Sequence, residues 1–155
     1  MRILGIDGSY KNGFTSKLLR KAMQSVPSQV QKSILKASET RKCISEMKKS
    51  DGVIFATPTH WFQCSIPLRN LLYKMSYLPY STFEGKTVAV TATCKEDGGQ
   101  QAINSLIVPL NHLGFWIMPW GMVFYNLSSK NHGEYGWQKR DVEHLGKYMV
   151  EYLTP

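Results

Sequence analysis

Cysteine is scarce in this chain. Of 155 residues only Cys43, Cys64 and Cys94 are cysteines, an odd number at wide spacing with no C-x-x-C pair. Nothing therefore indicates a disulfide framework, a structural zinc site or a cysteine-held iron–sulfur cluster. The four histidines, His60, His112, His132 and His144, lack the spacing of metal ligands. No apolar run is long enough to span a bilayer, so no membrane partner is expected. The opening apolar stretch is short and Asp7 and Lys11 follow at once, which is not the pattern of a signal peptide; the expected compartment is the cytoplasm. Acids are scarce at the start. Residues 1–50 hold eleven Lys and Arg against three acids, residues 51–155 hold eight of each, and the whole net charge of +8 thus arises in the first third. That excess favours anionic partners there, although a solvated basic face on two surface helices accounts for it equally. No helix-turn-helix, zinc-finger or RNP pattern is present, so no nucleic-acid partner is expected.

What is present is an ordinary globular balance, 43% hydrophobic and 19% charged, enough for one domain over residues 1–155 with a sizeable core. Apolar runs at 2–6, 53–57 and 87–92 read as buried strands. A weaker alternation at 29–36 and the run 115–125, interrupted by Pro119 and Gly121, supply two more. Helical spacing recurs at 15–25, at 39–49 (closed by Asp51-Gly52), through Leu68–Met75, through Ala102–Leu113, and at about 138–153. Strands alternating with helices predict an α/β fold, a doubly wound five-stranded parallel sheet with helices on both faces. In the flavodoxin-like strand order 2-1-3-4-5, ligands sit beyond the carboxyl ends of the strands at the reversal between strands 1 and 3. The loops after strands 1, 3 and 4 are thus the candidate site.

The first of these, Ser9 to Thr15, follows an apolar strand and opens a helix. Hydroxyls and free backbone N–H groups at a helix N-terminus suit a phosphate. The loop is neither a Walker A nor a dinucleotide fingerprint, which leaves a single phosphate such as that of a mononucleotide. Simple N-capping by Ser or Thr explains the same residues. The second loop, Thr57-Pro58-Thr59-His60-Trp61-Phe62-Gln63-Cys64-Ser65-Ile66-Pro67, puts aromatics straight after a buried strand. That suits one edge and face of a flat, polar-rimmed ring, or an aromatic pair that caps the core. The third, Thr93 to Gln100, carries Gly98-Gly99 at a helix start, where N–H groups stay open to a close-lying ligand.

Together these segments resemble the NADPH-dependent FMN reductase family of flavodoxin-like oxidoreductases. GIDGSYKNGFTSKLL is similar to the family's phosphate loop, DGVIFATPTHWFQCSIPLRNLL to its ring-side segment, and GKTVAVTATCKEDGGQQAINSL to its paired-glycine segment, in the same order. The resemblance implies FMN as cofactor, NADPH or NADH as co-substrate, and a small-molecule electron acceptor such as a flavin or quinone. It places Ser9, Lys11, Phe14 and Thr15 at the phosphate. Pro58, Thr59, His60, Trp61 and Phe62 fall beside the isoalloxazine, and Thr93, Gly98 and Gly99 at its pyrimidine side. No catalytic residue beyond the flavin and no metal is implied. Lys11 stands where many members carry Arg, keeping the cation without the bidentate fork. Phe14 stands where Asn is common, and His60 where Tyr is usual. Relatives commonly pair near the flavin, and the apolar residues around strand 5 (Phe115, Trp116, Met118, Trp120, Met122, Phe124, Tyr125, then Tyr135 and Trp137) lead us to expect a homodimer, with residues 126–137 near the partner's site. Two other readings use the same fold: a flavodoxin-type electron carrier that does not oxidise NAD(P)H, and a binding protein that has lost the flavin.

Overall fold

The structure, a computed structural model, describes residues 1–127 and 136–154, with side chains in the second segment from residue 140. The described residues form β1 (Arg2–Asp7), α1 (Phe14–Gln24), β2 (Gln31–Lys36), α2 (Thr40–Lys49), β3 (Gly52–Pro58), α3 (Ile66–Met75), β4 (Thr87–Cys94), α4 (Gly99–His112), β5 (Trp116–Asn126) and α5 (Gly136–Leu153), with one 3-10 turn at Tyr80–Thr82. The strands make one parallel sheet in the order β2-β1-β3-β4-β5. This is the flavodoxin-like arrangement.

Period-2 alternation divides the sheet's side chains between two cores. Leu4, Ile6, Val53, Phe55, Val88 and Val90 face α2, α3 and α4, where they meet residues such as Met47, Leu68 and Leu106. Ile3, Ile54, Ala56 and Ala89 face α1 and α5 and pack on Leu19, Met23, Leu145 and Met149. Helices therefore cover both faces. The inner strands β3 and β4 are buried almost throughout, whereas β2, at an edge, is exposed over its first four residues.

Three details depart from the sequence reading. Gly52 does not close α2 but begins β3, opposite Ile3 and Thr87. Thr93 and Cys94 belong to β4, because β5 runs on to pair Tyr125 and Asn126 with them. Pro119 and Gly121 do not interrupt β5. Four residues, Met118 to Gly121, stand opposite Ala89 alone, since Ile117 pairs with Val88 and Met122 with Val90. Pro119 followed by Trp120 at φ 61° has the pattern of a type II turn set into the strand. It directs Met118 inward, almost wholly buried, and Trp120 outward, 88% exposed.

Phe55 lies fully buried at the middle of β3. Phe55→Ala is expected to cost about 3–5 kcal/mol, seen as a lower urea midpoint at unchanged slope. A loss under about 1 kcal/mol would mean that the core there collapses onto the gap.

Candidate functional site

The carboxyl ends of β1, β3 and β4 lie side by side, and the segments that leave them are tied together. Gly8, just past β1, donates its N–H to Ala56 O at 2.8 Å, and its carbonyl accepts Ser65 Oγ at 2.6 Å. Ser65 N–H in turn donates to Thr57 Oγ1 at 2.9 Å. A Cβ on Gly8 would lie 2.3 Å from Leu68 Cδ1 and 2.8 Å from Ser65 Oγ, so any other residue forces these buried side chains to move. Thr59 N–H donates to Thr93 O at 2.8 Å, and the Thr15 and Thr93 hydroxyls share a 2.6 Å hydrogen bond. Tyr10 stacks on His60 with ring centroids 6.1 Å apart, and Phe14 lies against Tyr125 at 5.2 Å. Gly98, at φ +84°, sits under Thr59 and Phe62, whose Cδ1 would be 3.0 Å from an added Cβ.

The first loop leaves many donors open. Among the described residues, the N–H groups of Tyr10, Lys11, Asn12, Phe14, Thr15 and Ser16 have no acceptor; the last three are the first N–H groups of α1, at the positive end of its dipole. Lys11 is exposed beside them. The hydroxyls behave otherwise. Asp7, 3% exposed, lies at the foot of the loop and accepts Ser9 N–H at 2.9 Å, Ser9 Oγ at 2.5 Å, Ser16 Oγ at 2.6 Å and Lys36 Nζ at 2.7 Å. Burial alone pushes the Asp7 carboxyl up, but the bonds from Lys36, Ser16 and Ser9 together outweigh it and hold the group below the ordinary carboxylate value.

The second loop is a two-residue hairpin turn. His60 and Gln63 exchange backbone hydrogen bonds of 2.9 and 3.1 Å, while Trp61 and Phe62 take φ of 49° and 62°. That is type I′ geometry, which favours Asn-Gly; two aromatics there carry strain of about 1–3 kcal/mol each. Trp61 is nevertheless 90% exposed, so packing does not account for its presence. Two buried side-chain oxygens have no hydrogen-bond partner among the described residues: Thr91 Oγ1 within β4 and Thr59 Oγ1 in this loop. A cavity of about 240 Å³ lies among Phe62, Cys94, Gly98, Gly99, Phe124 and Asn126. A larger hollow of about 590 Å³ lies between Trp120 and α5, beside Arg140, Asp141, Tyr148 and Glu151.

Ser9, Lys11, Phe14, Thr15, Pro58, Thr59, His60, Trp61, Phe62, Thr93, Gly98 and Gly99 thus fall on one end of the sheet. The Thr15 hydroxyl is paired with Thr93, so its service to a ligand is reduced to the one hydrogen that this pair does not use. The N–H groups of Gly98 and Gly99 have no backbone acceptor among the described residues. Asp7, Ser16, Lys36 and Ser65 are site residues that the motifs do not pick out. Cys64 and Cys94 are buried fillers whose thiols burial pushes up, which makes them poor nucleophiles.

The family model for NADPH-dependent FMN reductases matches residues 1–128. The chain belongs to the NADPH-dependent FMN reductase family. Membership makes it an FMN-dependent oxidoreductase. No curated protein matches it. Among solved structures it is similar to an NADH:FMN oxidoreductase in its apo form, at TM-score 0.75 and 18% identity over 99% of this chain and 91% of that one. A flavodoxin from the domain Archaea matches at TM-score 0.74 and 14% identity over the whole of both chains. RosB, solved with bound 8-demethyl-8-formylriboflavin-5'-phosphate, matches at TM-score 0.78 and 11% identity over 99% of this chain and 79% of that one. At these identities the likeness is one of fold. No helix among the described residues is long and apolar enough to cross a membrane.

Because folding lowers the Asp7 carboxyl, the native state binds fewer protons there than the unfolded chain does. Its contribution is complete above the unfolded value near 3.8 and is lost as pH falls through the lower folded value. Thermal melts below pH 3.8 should therefore show a steep acid loss that Asp7→Asn makes shallower. An equally steep loss in the variant would show that other carboxylates dominate.

Proposed function

We propose that this chain oxidises NADPH or NADH through FMN held at the ends of β1, β3 and β4, and delivers the electrons to a small acceptor such as a flavin or quinone. The observation that carries this reading is the gathering of unpaired groups at the β1/β3 reversal: six open N–H groups in the first loop and, in the segment after β3, the buried Thr59 Oγ1, which has no partner among the described residues. These fit a phosphate with a polar-rimmed ring attached. The N–H groups of residues 10–12 and 14–16 and the Lys11 ammonium would hold the phosphate, with Ser9, Phe14 and Thr15 shaping that loop. Pro58, Thr59, His60, Trp61 and Phe62 would line one side of the ring, with Thr93, Gly98 and Gly99 on its pyrimidine side. FMN supplies hydride and electron transfer when bound. The protein's part is to orient the ring, to exclude water with Trp61 and Phe62, and to offer Gly98 N–H at the start of α4, where the dipole favours negative charge. The FMN-saturated protein should be yellow, and stopped-flow mixing of it with NADPH or NADH should bleach the flavin before any acceptor is added. If the flavin binds but stays oxidised with both nucleotides, the protein is a carrier of the flavodoxin kind, a role its charge of +8 argues against, since such carriers are typically acidic. A colourless protein that gains no flavin on titration would be the binding protein.

The reading includes a homodimer. Of the apolar residues around β5, Phe115, Met118 and Tyr125 are buried, but Trp116, Trp120 and Met122 lie exposed on the edge strand. Tyr135 lies outside the described residues, as do residues 128–134 and the side chain of Trp137. Exposed aromatics and Met in one patch favour association. Light scattering at micromolar concentration should give twice the 17.7 kDa of one chain, and Trp120→Glu should halve it. A wild-type mass of one chain removes the dimer.

A further inference from the structure

The serine hydroxyls of the first loop already serve an anion, and that anion is the protein's own. Asp7 takes both hydroxyl hydrogens available at the foot of the loop, from Ser9 at 2.5 Å and Ser16 at 2.6 Å. The two hydroxyl oxygens lie only 2.7 Å apart, so two hydrogens serve three close contacts and none is left over. Lys36, paired with Asp7 at 2.7 Å, covers the deficit with contacts of 3.2 Å to Ser9 Oγ, Ser16 Oγ and Ser9 O. The cluster is therefore saturated and close to neutral. The pairing is built into the sheet, because Asp7 and Lys36 end β1 and β2 and stand opposite one another in register. A phosphate arriving at this loop finds open backbone N–H groups and Lys11. To reach the two serine hydroxyls or the Lys36 ammonium it must displace a buried carboxylate that holds them with charge-assisted bonds, while that carboxylate's own charge repels it.

We propose that Asp7 competes with the ligand phosphate for Ser9, Ser16 and Lys36. The site then selects flavins chiefly by the ring, accepts riboflavin nearly as well as FMN, and releases FMN readily. This rests on the flavin reading of the site. It sets the ligand class as flavins with or without a 5′-phosphate, and makes FMN an exchangeable guest. Asp7→Asn keeps the size and an acceptor oxygen, removes the charge, and frees at least one serine hydrogen and the Lys36 ammonium. Asp7→Ser does the same in a smaller side chain.

The test is a titration of the wild-type chain and both variants with FMN and with riboflavin, followed by flavin fluorescence, with circular dichroism confirming the fold. In the wild type the two dissociation constants should lie within about tenfold of one another, that is within about 1.4 kcal/mol. In the variants FMN should bind about tenfold or more tighter, with riboflavin unchanged. A wild-type preference for FMN above about tenfold, or variants in which FMN affinity fails to rise relative to riboflavin, overturns the competition. If neither variant folds, the wild-type ratio decides alone. If neither flavin binds any of the proteins, the flavin reading itself falls and this inference with it; flavin binding with an unmoved ratio removes the competition only.

Discussion

Gly8 is the point on which the site depends. The chain leaving β1 passes so close to the start of α3 that a single added carbon would meet Leu68 at 2.3 Å. Its N–H extends the β1–β3 ladder by one bond to Ala56, and its carbonyl takes the Ser65 hydroxyl. The first loop therefore leaves in one direction, over the end of β3, and brings Asp7, Ser9 and the start of α1 to the place where the strand order reverses. In a doubly wound sheet that reversal opens a crevice by topology alone. Gly8 decides how wide it is.

The three segments around that crevice are not independent. Thr15 is bound to Thr93, Thr59 to Thr93, Tyr10 to His60, and Gly98 is roofed by Thr59 and Phe62. A change in any one segment is felt in the other two, and coupled residues of this kind give non-additive effects. On the far side, the turn inserted at Met118–Gly121 bends β5 where the sheet ends. An open, regular edge would invite a further strand. With Trp120 thrown outward at positive φ, the edge there presents a side chain rather than a regular backbone ladder.

Most of the fold was legible because buried parallel strands read as unbroken apolar runs and the intervening helices carry an apolar stripe. VIFAT and TVAVTA leave little choice. β5 was harder. Pro119 and Gly121 carry the usual signal for a break, and only the partner strand's register shows that four residues bulge from a strand that continues. The positions of Ser9, Lys11, Pro58 to Phe62 and Gly98-Gly99 followed from strand ends. The use of their hydroxyls did not. Ser9 turned to Asp7, because a buried carboxylate takes whichever donors are nearest, and Thr15 paired with the Thr93 hydroxyl. One signal for this was present. An acid closing an otherwise apolar strand, RILGID, needs a cation, and Lys36 closes the neighbouring strand at the same register. Reading the two strand ends as a pair would have found Lys36.

Trp61 and Phe62 occupy backbone conformations that glycine and asparagine adopt without strain, at 90% and 45% exposure. Stability alone would replace both. Neither packing nor backbone preference therefore accounts for these two side chains. A lineage that ceased to use this loop would drift first at these two positions, toward Asn-Gly, while Gly8 and Phe55 stayed as they are because packing holds them.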